Sequence, residues 1–430
     1  MVRFNENNEV IKDEKYSAIL AGVQLKEDIS YFMEELEGLA EADGIEVLGC
    51  IVQSLEKPNT ATLIGKGKVY ELAEMCAKLE ADMVIFNDEL SGMQMRNLEE
   101  EVGVRVIDRT ILILDIFAHR ATSKEGKLQV ELAQLQYRMP RLTGFGKSLS
   151  RLGGGIGTRG PGEKKLETDR RHISGRIDDI KSELKKMGKT RNVQRLSREK
   201  SKIPVVALMG YTNSGKSAIM NRLLSMSQRE DKTVSSENML FATLDTQHRK
   251  ITLEQGSEFI LIDTVGFVSK LPHSLVEAFK STLEEVQYAD LLVQVVDSAA
   301  DENKDFHIEV TNKVINQLGA GNKDRLMAYN KIDIASERPL DASGHDSVCI
   351  SAKTGENMDL LLEKIKEKIF GSRVEISLLI PYDKGNINSY LCENAEVISM
   401  EYKDTGTLIR GRFSREDAYR YDEFKVEEEV

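Results

Sequence analysis

The chain has 430 residues, of which 40% are hydrophobic and 30% are charged, and its formal net charge is −12. This length suggests about three domains, and the composition is that of a globular protein. No stretch approaches the ~18 apolar residues that a membrane span needs, and the first residues contain no apolar signal region, so export and stable membrane insertion are not expected.

The N-terminal part of the chain alternates short apolar segments with helical patterns. The segments EVLGCIVQ, DMVIFND and VRVIDR are typical of strands, and KVYELAEMCAKLE and MQMRNLEEEV between them are typical of helices. This alternation predicts an α/β domain with parallel strands over residues 1–120. Its GKGK turn, Gly65–Lys68, leads into a helix and offers a place for a phosphate, but a lone Gly-x-Gly is a weak signal and ordinary turn chemistry is favoured.

Two stretches within residues 121–200 carry apolar residues at heptad spacing. The first set is Leu128, Leu132, Leu135 and Met139, and the second is Ile173, Ile177, Ile180, Leu184 and Met187. Two such helices joined by a loop predict an antiparallel helical hairpin. Because a helix of roughly 20 residues is about 30 Å long, we expect the loop to stand well clear of the neighbouring domains.

The loop of this hairpin is rich in glycine and basic residues. The segment SRLGGGIGTRGPGEKKLETDRR, Ser150–Arg171, contains six glycines, and residues 141–202 contain 18 Lys and Arg against 7 Asp and Glu, so that segment carries +11 and the rest of the chain −23. Glycine allows close backbone approach, and the arginines can pair with RNA phosphates or stack on unpaired bases; they are Arg151, Arg159, Arg170 and Arg171. The segment therefore predicts an anion-binding finger. A flexible linker is the alternative, but a linker need not lie between two heptad helices.

Residues 201–370 form a second alternating region, and it contains a P-loop. GYTNSGKS, Gly210–Ser217, follows the strand-like IPVVALMG and precedes the helical AIMNRLLS. In such a loop backbone N–H groups surround the β-phosphate, Lys216 offers a positive charge to the β- and γ-phosphates, and Ser217 offers a hydroxyl to Mg²⁺.

Two further motifs complete the expected phosphate and metal site. FILIDTVG ends an apolar strand in Asp263, which suits a water-bridged magnesium position, and in Gly266, whose N–H can face the γ-phosphate. Thr243 in FATLDT lies in a long loop where a switch threonine would complete the magnesium shell. The expected metal ligands are Ser217, Thr243 and Asp263, and the expected catalytic residues are Lys216, Thr243 and Gly266.

The last two motifs select the base. NKID follows the strand-like RLMAY, and the carboxylate of Asp333 can accept hydrogen bonds from the N1–H and the N2 amine of guanine, whereas adenine would leave that carboxylate unpaired. SAK follows the strand-like SVCI and supplies a backbone N–H for the guanine O6. Five motifs in this order predict a GTP-binding domain. The expected nucleotide-binding residues are Gly210, Tyr211, Thr212, Asn213, Ser214, Gly215, Lys216, Ser217, Ala218, Asp263, Thr264, Val265, Gly266, Asn330, Lys331, Asp333, Ser351, Ala352 and Lys353.

Two positions depart from the best-known small GTPases. Phe267 stands where those enzymes carry the glutamine that orients the attacking water, so we expect slow intrinsic hydrolysis until a partner or an ion completes the site. Asn213 stands where potassium-responsive GTPases use asparagine to bind a monovalent cation, which suggests K⁺ activation. The alternative is that Asn213 merely tolerates a positive φ.

The final segment, residues 371–430, contains strand-like VEISLLIPY, a short helical stretch, and then EVISMEY and TGTLIRGRF around an Asp-Thr-Gly turn. This pattern predicts a small α+β domain. The expected fold class is thus α/β: an N-terminal α/β domain with an antiparallel helical hairpin, a P-loop GTPase domain and a small C-terminal α+β domain.

The assembled motifs resemble those of the HflX family of ribosome-associated GTPases. The resemblance runs from about residue 18 through the GTPase domain and includes LIGKGKVYEL, DRTILILDIFAHRA, GKLQVELAQL, GGGIGTRGPGEKKLETDRR, FATLD and DTVGF. It implies GTP hydrolysis to GDP and phosphate and binding to the large (50S) ribosomal subunit and its RNA. It also implies that the hairpin tip reaches the peptidyl transferase region, and that the protein acts in ribosome splitting, recycling or rescue under stress.

Two other functions stay open at this stage. The first is a non-ribosomal RNA-remodelling NTPase that binds ATP through Gly65–Lys68, and the second is a membrane-associated or regulatory switch, for which the sequence offers no lipid anchor. We expect a cytoplasmic monomer, with peripheral membrane association left as an alternative.

Overall fold

The computed structural model describes residues 3–4, 10–11, 16–141, 161–200, 203–227, 247–253, 257–270, 284–336, 346–371 and 373–426. The chain divides into two compact units. The first contains the described residues up to Ser197 together with residues 267–270, and the second contains the other described residues.

The first unit is built on a parallel sheet. Its strands are β3 (Ser17–Gln24), β4 (Glu46–Ser54), β5 (Met83–Phe86) and β6 (Arg105–Asp108), in the order β4-β3-β5-β6, and a separate antiparallel pair consists of β1 (Arg3–Phe4) and β2 (Val10–Ile11). Its helices are α1 (Ser30–Ala42), α2 (Lys66–Leu79), α3 (Gly92–Val102) and α4 (Arg109–Arg120). A core that includes Ile19, Val84, Phe86 and Leu98 lies between α2, α3 and the sheet. The predicted N-terminal α/β architecture with parallel strands is confirmed.

The helical hairpin is also confirmed. It consists of α5 (Lys124–Arg141) and α6 (Pro161–Lys200). All nine predicted heptad residues form one apolar cluster, in which Leu128, Leu132, Ile177 and Ile180 are buried. Lys124 pairs with Glu183 at 3.2 Å, and Arg176 pairs with Glu131 at 2.7 Å, so residues later in α5 meet residues earlier in α6 and the helices are antiparallel.

The expectation that the loop stands clear of its neighbours concerns residues outside the described part of the chain, but helix α5 itself does not stand clear of them. This helix buries a second face, Val130, Ala133 and Tyr137, in addition to its heptad seam, and it packs against α3 and α4. The physical reason is a second apolar stripe at steps of three and four, which gives one helix two buried sides.

The anchoring of α5 continues to its last residue. The Tyr137 hydroxyl donates to the buried carboxylate of Asp108, and Arg141 donates to the Leu90 carbonyl at 3.0 Å and to Glu89 at 2.8 Å. Burial raises the pKa of Asp108, against hydrogen bonds that lower it. Residues 142–160 lie outside the described residues, whereas the end of the predicted loop, with Arg170 and Arg171, belongs to helix α6, where both side chains are exposed. The helix that leads into residue 142 is fixed to the N-terminal domain.

The second unit contains a six-stranded sheet in the order β12-β11-β10-β7-β9-β8, in which only β8 is antiparallel to its neighbour. The strands are β7 (Val205–Gly210), β8 (Gln247–Thr252), β9 (Glu258–Asp263), β10 (Leu291–Asp297), β11 (Arg325–Asn330) and β12 (Ser347–Cys349). The helices are α7 (Lys216–Ser225), α8 (Lys304–Gln317) and α9 (Met358–Phe370). This is the predicted P-loop domain, and its core includes Val206, Leu208, Leu261 and Val293.

The C-terminal residues form the predicted small α+β domain. Its antiparallel sheet has the order β14-β15-β13-β16, with β13 (Arg373–Pro381), β14 (Glu396–Lys403), β15 (Gly406–Ser414) and β16 (Lys425–Val426). Two helices, α10 (Gly385–Asn394) and α11 (Arg415–Arg420), complete it, around a core that includes Leu378, Ile409 and Phe413. Across the described part of the whole chain, no helix is long and apolar enough to span a membrane.

Candidate active site

The candidate site lies at the carboxyl edge of the six-stranded sheet. Four parallel strands end there: β7 at Gly210, where the P-loop begins, and β9, β10 and β11 at the polar residues Asp263, Asp297 and Asn330. The carboxyl ends of parallel strands meet at one edge of an α/β sheet, and ligands bind in the crevice outside that edge. The sheet therefore brings the separate sequence motifs together.

The P-loop connects β7 to α7, and its lysine is buried. Gly215 adopts φ +93° as the residue before the helix, where a Cβ would collide with the side-chain amide of Asn330. Lys216 is 6% exposed, and its Nζ donates to the carbonyls of Tyr211 at 2.8 Å and Gly210 at 3.2 Å. Burial lowers the pKa of Lys216 to about 8, against the opposing effect of Asp263. A phosphate would supply the missing counter-charge at this ammonium.

Other polar groups of the P-loop are also buried. The hydroxyls of Thr212 and Ser214 have no hydrogen-bond partner among the residues that the structure describes. Buried polar groups are normally satisfied by protein, water or ligand, so two such hydroxyls in one loop fit an anionic ligand. Gly266 packs closely on this loop, since a Cβ there would lie 2.8 Å from the Thr212 Cα and 3.0 Å from the Lys216 Nζ.

Two of the expected metal ligands are in contact. The Ser217 hydroxyl donates to Asp263 Oδ2 at 2.6 Å, and the side chain of Asp263 is fully buried at the end of β9. Both groups offer oxygen ligands of the kind that Mg²⁺ prefers. The third expected ligand, Thr243, lies outside the described residues. Next to Asp263, the Thr264 hydroxyl donates to the Leu208 carbonyl at 2.7 Å and ties β9 to β7, and Val265 is buried beside it.

Asn330 joins the base motifs to the P-loop. Its Nδ2 donates to the Ser214 carbonyl at 2.9 Å, and its Oδ1 accepts from the Ala352 N–H at 3.0 Å. The Ser351 hydroxyl donates to the Asp333 carboxylate at 2.7 Å, while Asp333 and Lys353 are exposed. Asn330 is thus joined by direct hydrogen bonds to the P-loop, 116 positions earlier, and to the SAK motif, 22 positions later.

Two neighbours of the site were not predicted. Asp297, at the end of β10, pairs with Lys331 at 2.7 Å. Its place at the end of an apolar strand is visible in the sequence and could have identified it. His307 of α8 stacks on Tyr211 of the P-loop, with ring centroids 3.9 Å apart and planes at 16°. No local pattern marks this histidine, because the contact depends on how α8 packs on the sheet.

Asn213, Ala218 and Phe267 occupy three different environments. Asn213 is exposed and has a positive φ of +58°, which is compatible with both interpretations of this residue. Ala218 lies in the first turn of α7 and packs against the core. The side chain of Phe267 is 2% exposed, so it makes almost no contact with solvent water.

The GKGK turn of the N-terminal domain has its own partners. The Gly65 N–H donates to Gln53 Oε1 at 2.8 Å, and Lys68 pairs with Glu71 at 2.9 Å. These contacts favour the ordinary turn interpretation over a phosphate site.

Family models match most of the chain. Models described as GTP-binding GTPase N-terminal, GTP-binding GTPase Middle Region, 50S ribosome-binding GTPase and HflX C-terminal domain match residues 30–118, 120–198, 205–331 and 340–423, respectively.

Relatives with known names agree with these models. The chain is 48% identical to a GTPase HflX of Caldanaerobacter subterraneus over 97% of this chain and 95% of that relative. It is 42% identical to a GTPase HflX of Escherichia coli over 83% of each. A solved GTP-binding protein of Sulfolobus solfataricus in complex with GDP is 25% identical, with a TM-score of 0.45, over 82% of this chain and 98% of that one. The chain belongs to the HflX family of GTPases, and it hydrolyses GTP in its P-loop domain.

Proposed function

We propose that this GTPase binds the large (50S) ribosomal subunit through its hairpin and acts in ribosome splitting, recycling or rescue under stress. The observation that supports the proposal is the antiparallel packing of α5 against α6, the two helices between which the basic, glycine-rich segment lies in the sequence. Arg141 is anchored on Leu90 and Glu89, so the loop begins from a fixed point. A basic, glycine-rich turn with a rigid base suits insertion among RNA phosphates.

The site residues have the following proposed roles. Lys216 and the P-loop amides hold the β- and γ-phosphates, and Gly266 donates its N–H to the γ-phosphate. Asp333 and Ala352 form the hydrogen bonds that recognise guanine. Ser217, Asp263 and Thr243 would hold Mg²⁺, which supplies positive charge to the phosphate oxygens when bound. Asn213 would bind K⁺. Because Phe267 is buried and apolar, the attacking water is oriented by a group that the subunit supplies, and hydrolysis accelerates on binding.

The other two functions have less support. An RNA-remodelling NTPase that uses Gly65–Lys68 for ATP conflicts with the internal partners of that turn, since Gln53 occupies the Gly65 N–H. Family membership also favours a ribosomal partner over a membrane or regulatory one. We therefore propose that the protein is a cytoplasmic monomer that binds free subunits or idle ribosomes.

The test is sedimentation with purified 50S subunits in the presence of a non-hydrolysable GTP analogue. The variant R151A/R159A/R170A should lose subunit binding, and the salt dependence of its binding should flatten by roughly 0.7–0.9 per lost phosphate contact. GTP binding without subunits should stay at the wild-type level, because these residues lie outside the P-loop domain.

A matched control removes three positive charges from α6, K181A/K185A/K186A, at exposed positions of the same hairpin. This control should retain most of the binding if the loop is the contact. Equal losses in both variants would indicate general attraction of basic charge to RNA, and unchanged binding in R151A/R159A/R170A would support the linker alternative. Adding intact ribosomes, with dissociation followed by light scattering, tests splitting separately.

A further inference from the structure

The stack between His307 and Tyr211 connects helix α8 to the P-loop, and both residues belong to the second unit. The ring centroids lie 3.9 Å apart and the ring planes meet at 16°. Tyr211 is 4% exposed, so its ring lies inside closely packed structure. The neighbours of a ring in such a place determine its position, and the imidazole of His307 is one of these neighbours.

The backbone of Tyr211 takes part in the phosphate-binding loop. Its carbonyl accepts from the Lys216 Nζ at 2.8 Å and from the Ser214 N–H at 3.3 Å. The preceding residue, Gly210, packs closely on β10, because a Cβ there would lie 2.3 Å from the Val295 carbonyl oxygen. The main chain before Tyr211 is thus held by β10 and its side chain by α8, so a shift of the ring would displace the carbonyl that holds the lysine.

Helix α8 gives the histidine a firm support. The helix packs against β7 and β10, and its residues Val314 and Ile315 are 6% and 0% exposed. The Thr311 hydroxyl donates to the His307 carbonyl at 2.8 Å, one turn along the same helix. Side chains that project from packed helices hold their geometry more precisely than those on loops. The imidazole is therefore a fixed surface for the Tyr211 ring.

We propose that His307 is a positioning residue of the nucleotide site: its ring holds Tyr211, and through Tyr211 it keeps the P-loop in the arrangement that binds the β-phosphate. This inference rests on the proposed role of the P-loop in phosphate binding. Without the ring, the loop must be ordered when nucleotide binds, and that cost lowers affinity. GDP and GTP share the β-phosphate, so both lose affinity by the same factor, and a loss common to substrate and transition state raises KM without changing kcat.

The experiment uses the full-length chain without ribosomes. It measures the affinities for GDP and for a non-hydrolysable GTP analogue, the KM and kcat of intrinsic GTP hydrolysis, and the Tm of the nucleotide-free protein. H307A should weaken both affinities by about two- to tenfold, the factor that corresponds to one aromatic pair. Because slow hydrolysis makes KM a measure of binding, KM should rise by the same factor while kcat stays within about twofold. H307F restores a ring and should return all four kinetic and binding quantities to wild-type values.

A matched control separates positioning from stability. V314A removes buried methyl groups from the same helix, two turns further along, and should lower the Tm at least as much as H307A with both affinities and KM unchanged. If His307 acted only through folding, H307A would lower the active fraction, and hence the apparent kcat, at an unchanged KM. That result would overturn the proposal. Loss of affinity in H307F together with wild-type affinity in H307Q would also overturn it, because the hydrogen-bonding groups of the side chain would then be responsible.

The variant K216A tests the phosphate site itself. Weak nucleotide binding in K216A together with wild-type binding in H307A would refute the role of His307 and keep that of the P-loop. Wild-type binding in K216A would refute the phosphate site and, with it, the positioning role.

Discussion

The two α/β domains of this protein share one spacing of residues at the start of a helix, although Gly65 is extended, with φ −70°, and Gly215 is left-handed, with φ +93°. In each, a residue with positive φ, Leu63 or Asn213, is followed two positions later by a glycine, and a lysine then begins the helix. In the N-terminal domain the left-handed residue is a buried leucine, and the lysine, Lys66, is exposed.

In the P-loop domain the exposures of the left-handed residue and the lysine are reversed. Asn213 is exposed, and Lys216 is buried against backbone carbonyls with a lowered pKa. The N-terminal turn satisfies its glycine N–H through Gln53, whereas the P-loop leaves two hydroxyls without partners in the described part of the chain. A phosphate site thus differs from an ordinary turn in having donors without hydrogen-bond partners within the protein. The glycine-lysine pattern alone does not separate the two.

The largest expected difference between the two turns is in nucleotide affinity. K216A should weaken GTP binding by about 30-fold or more, because it removes a buried charge that pairs with phosphate. K66A should bind GTP within twofold of the wild type, because Lys66 lies at the solvent-exposed helix start. Isothermal titration with GTP and with ATP checks both. A loss of ATP binding in K66A would show that the N-terminal turn is a second nucleotide site and would break the comparison.

The second difference concerns pH and is intermediate in size. Burial lowers the pKa of Lys216 to about 8, so the nucleotide-free protein loses this charge as pH rises through 8. Phosphate binds the protonated lysine, and binding above pH 8 must therefore take up a proton. GTP affinity should be constant below pH 8 and should fall by up to about tenfold per pH unit above it. Titrations at pH 7, 8 and 9 test this, and K216A should show no such fall. A flat wild-type profile would contradict the assignment.

The smallest expected effect separates the two interpretations of Asn213. Intrinsic hydrolysis should be a few-fold faster in K⁺ than in Na⁺, and N213A should remove that difference. N213G sharpens the test, because glycine keeps the positive φ without strain but lacks the amide. Loss of the K⁺ increment in N213G supports cation binding. Persistence of the increment in N213G would show that Asn213 serves only the backbone conformation.

Much of the site was predictable because its signals are local. Four of the five GTPase motifs follow an apolar strand, and parallel strands bring their carboxyl ends together, so these motifs indicate that Ser217, Asp263 and Asn330 share one edge. The ion pair between Asp297 and Lys331 was missed although Asp297 also ends a strand. The stack of His307 on Tyr211 had no local signal.

The sequence by itself determined the helical hairpin, the α/β fold class and the identity of the GTPase motifs, because periodicity and motif spacing depend on neighbours within a few residues or turns. Only the tertiary structure decided that α5 is anchored on the N-terminal domain to its last residue, and that His307 stacks on Tyr211. Those contacts link residues such as Tyr211 and His307, which lie far apart in the chain. Whether such polar groups meet depends on which buried faces pack together, and no local pattern in the sequence encodes that pairing.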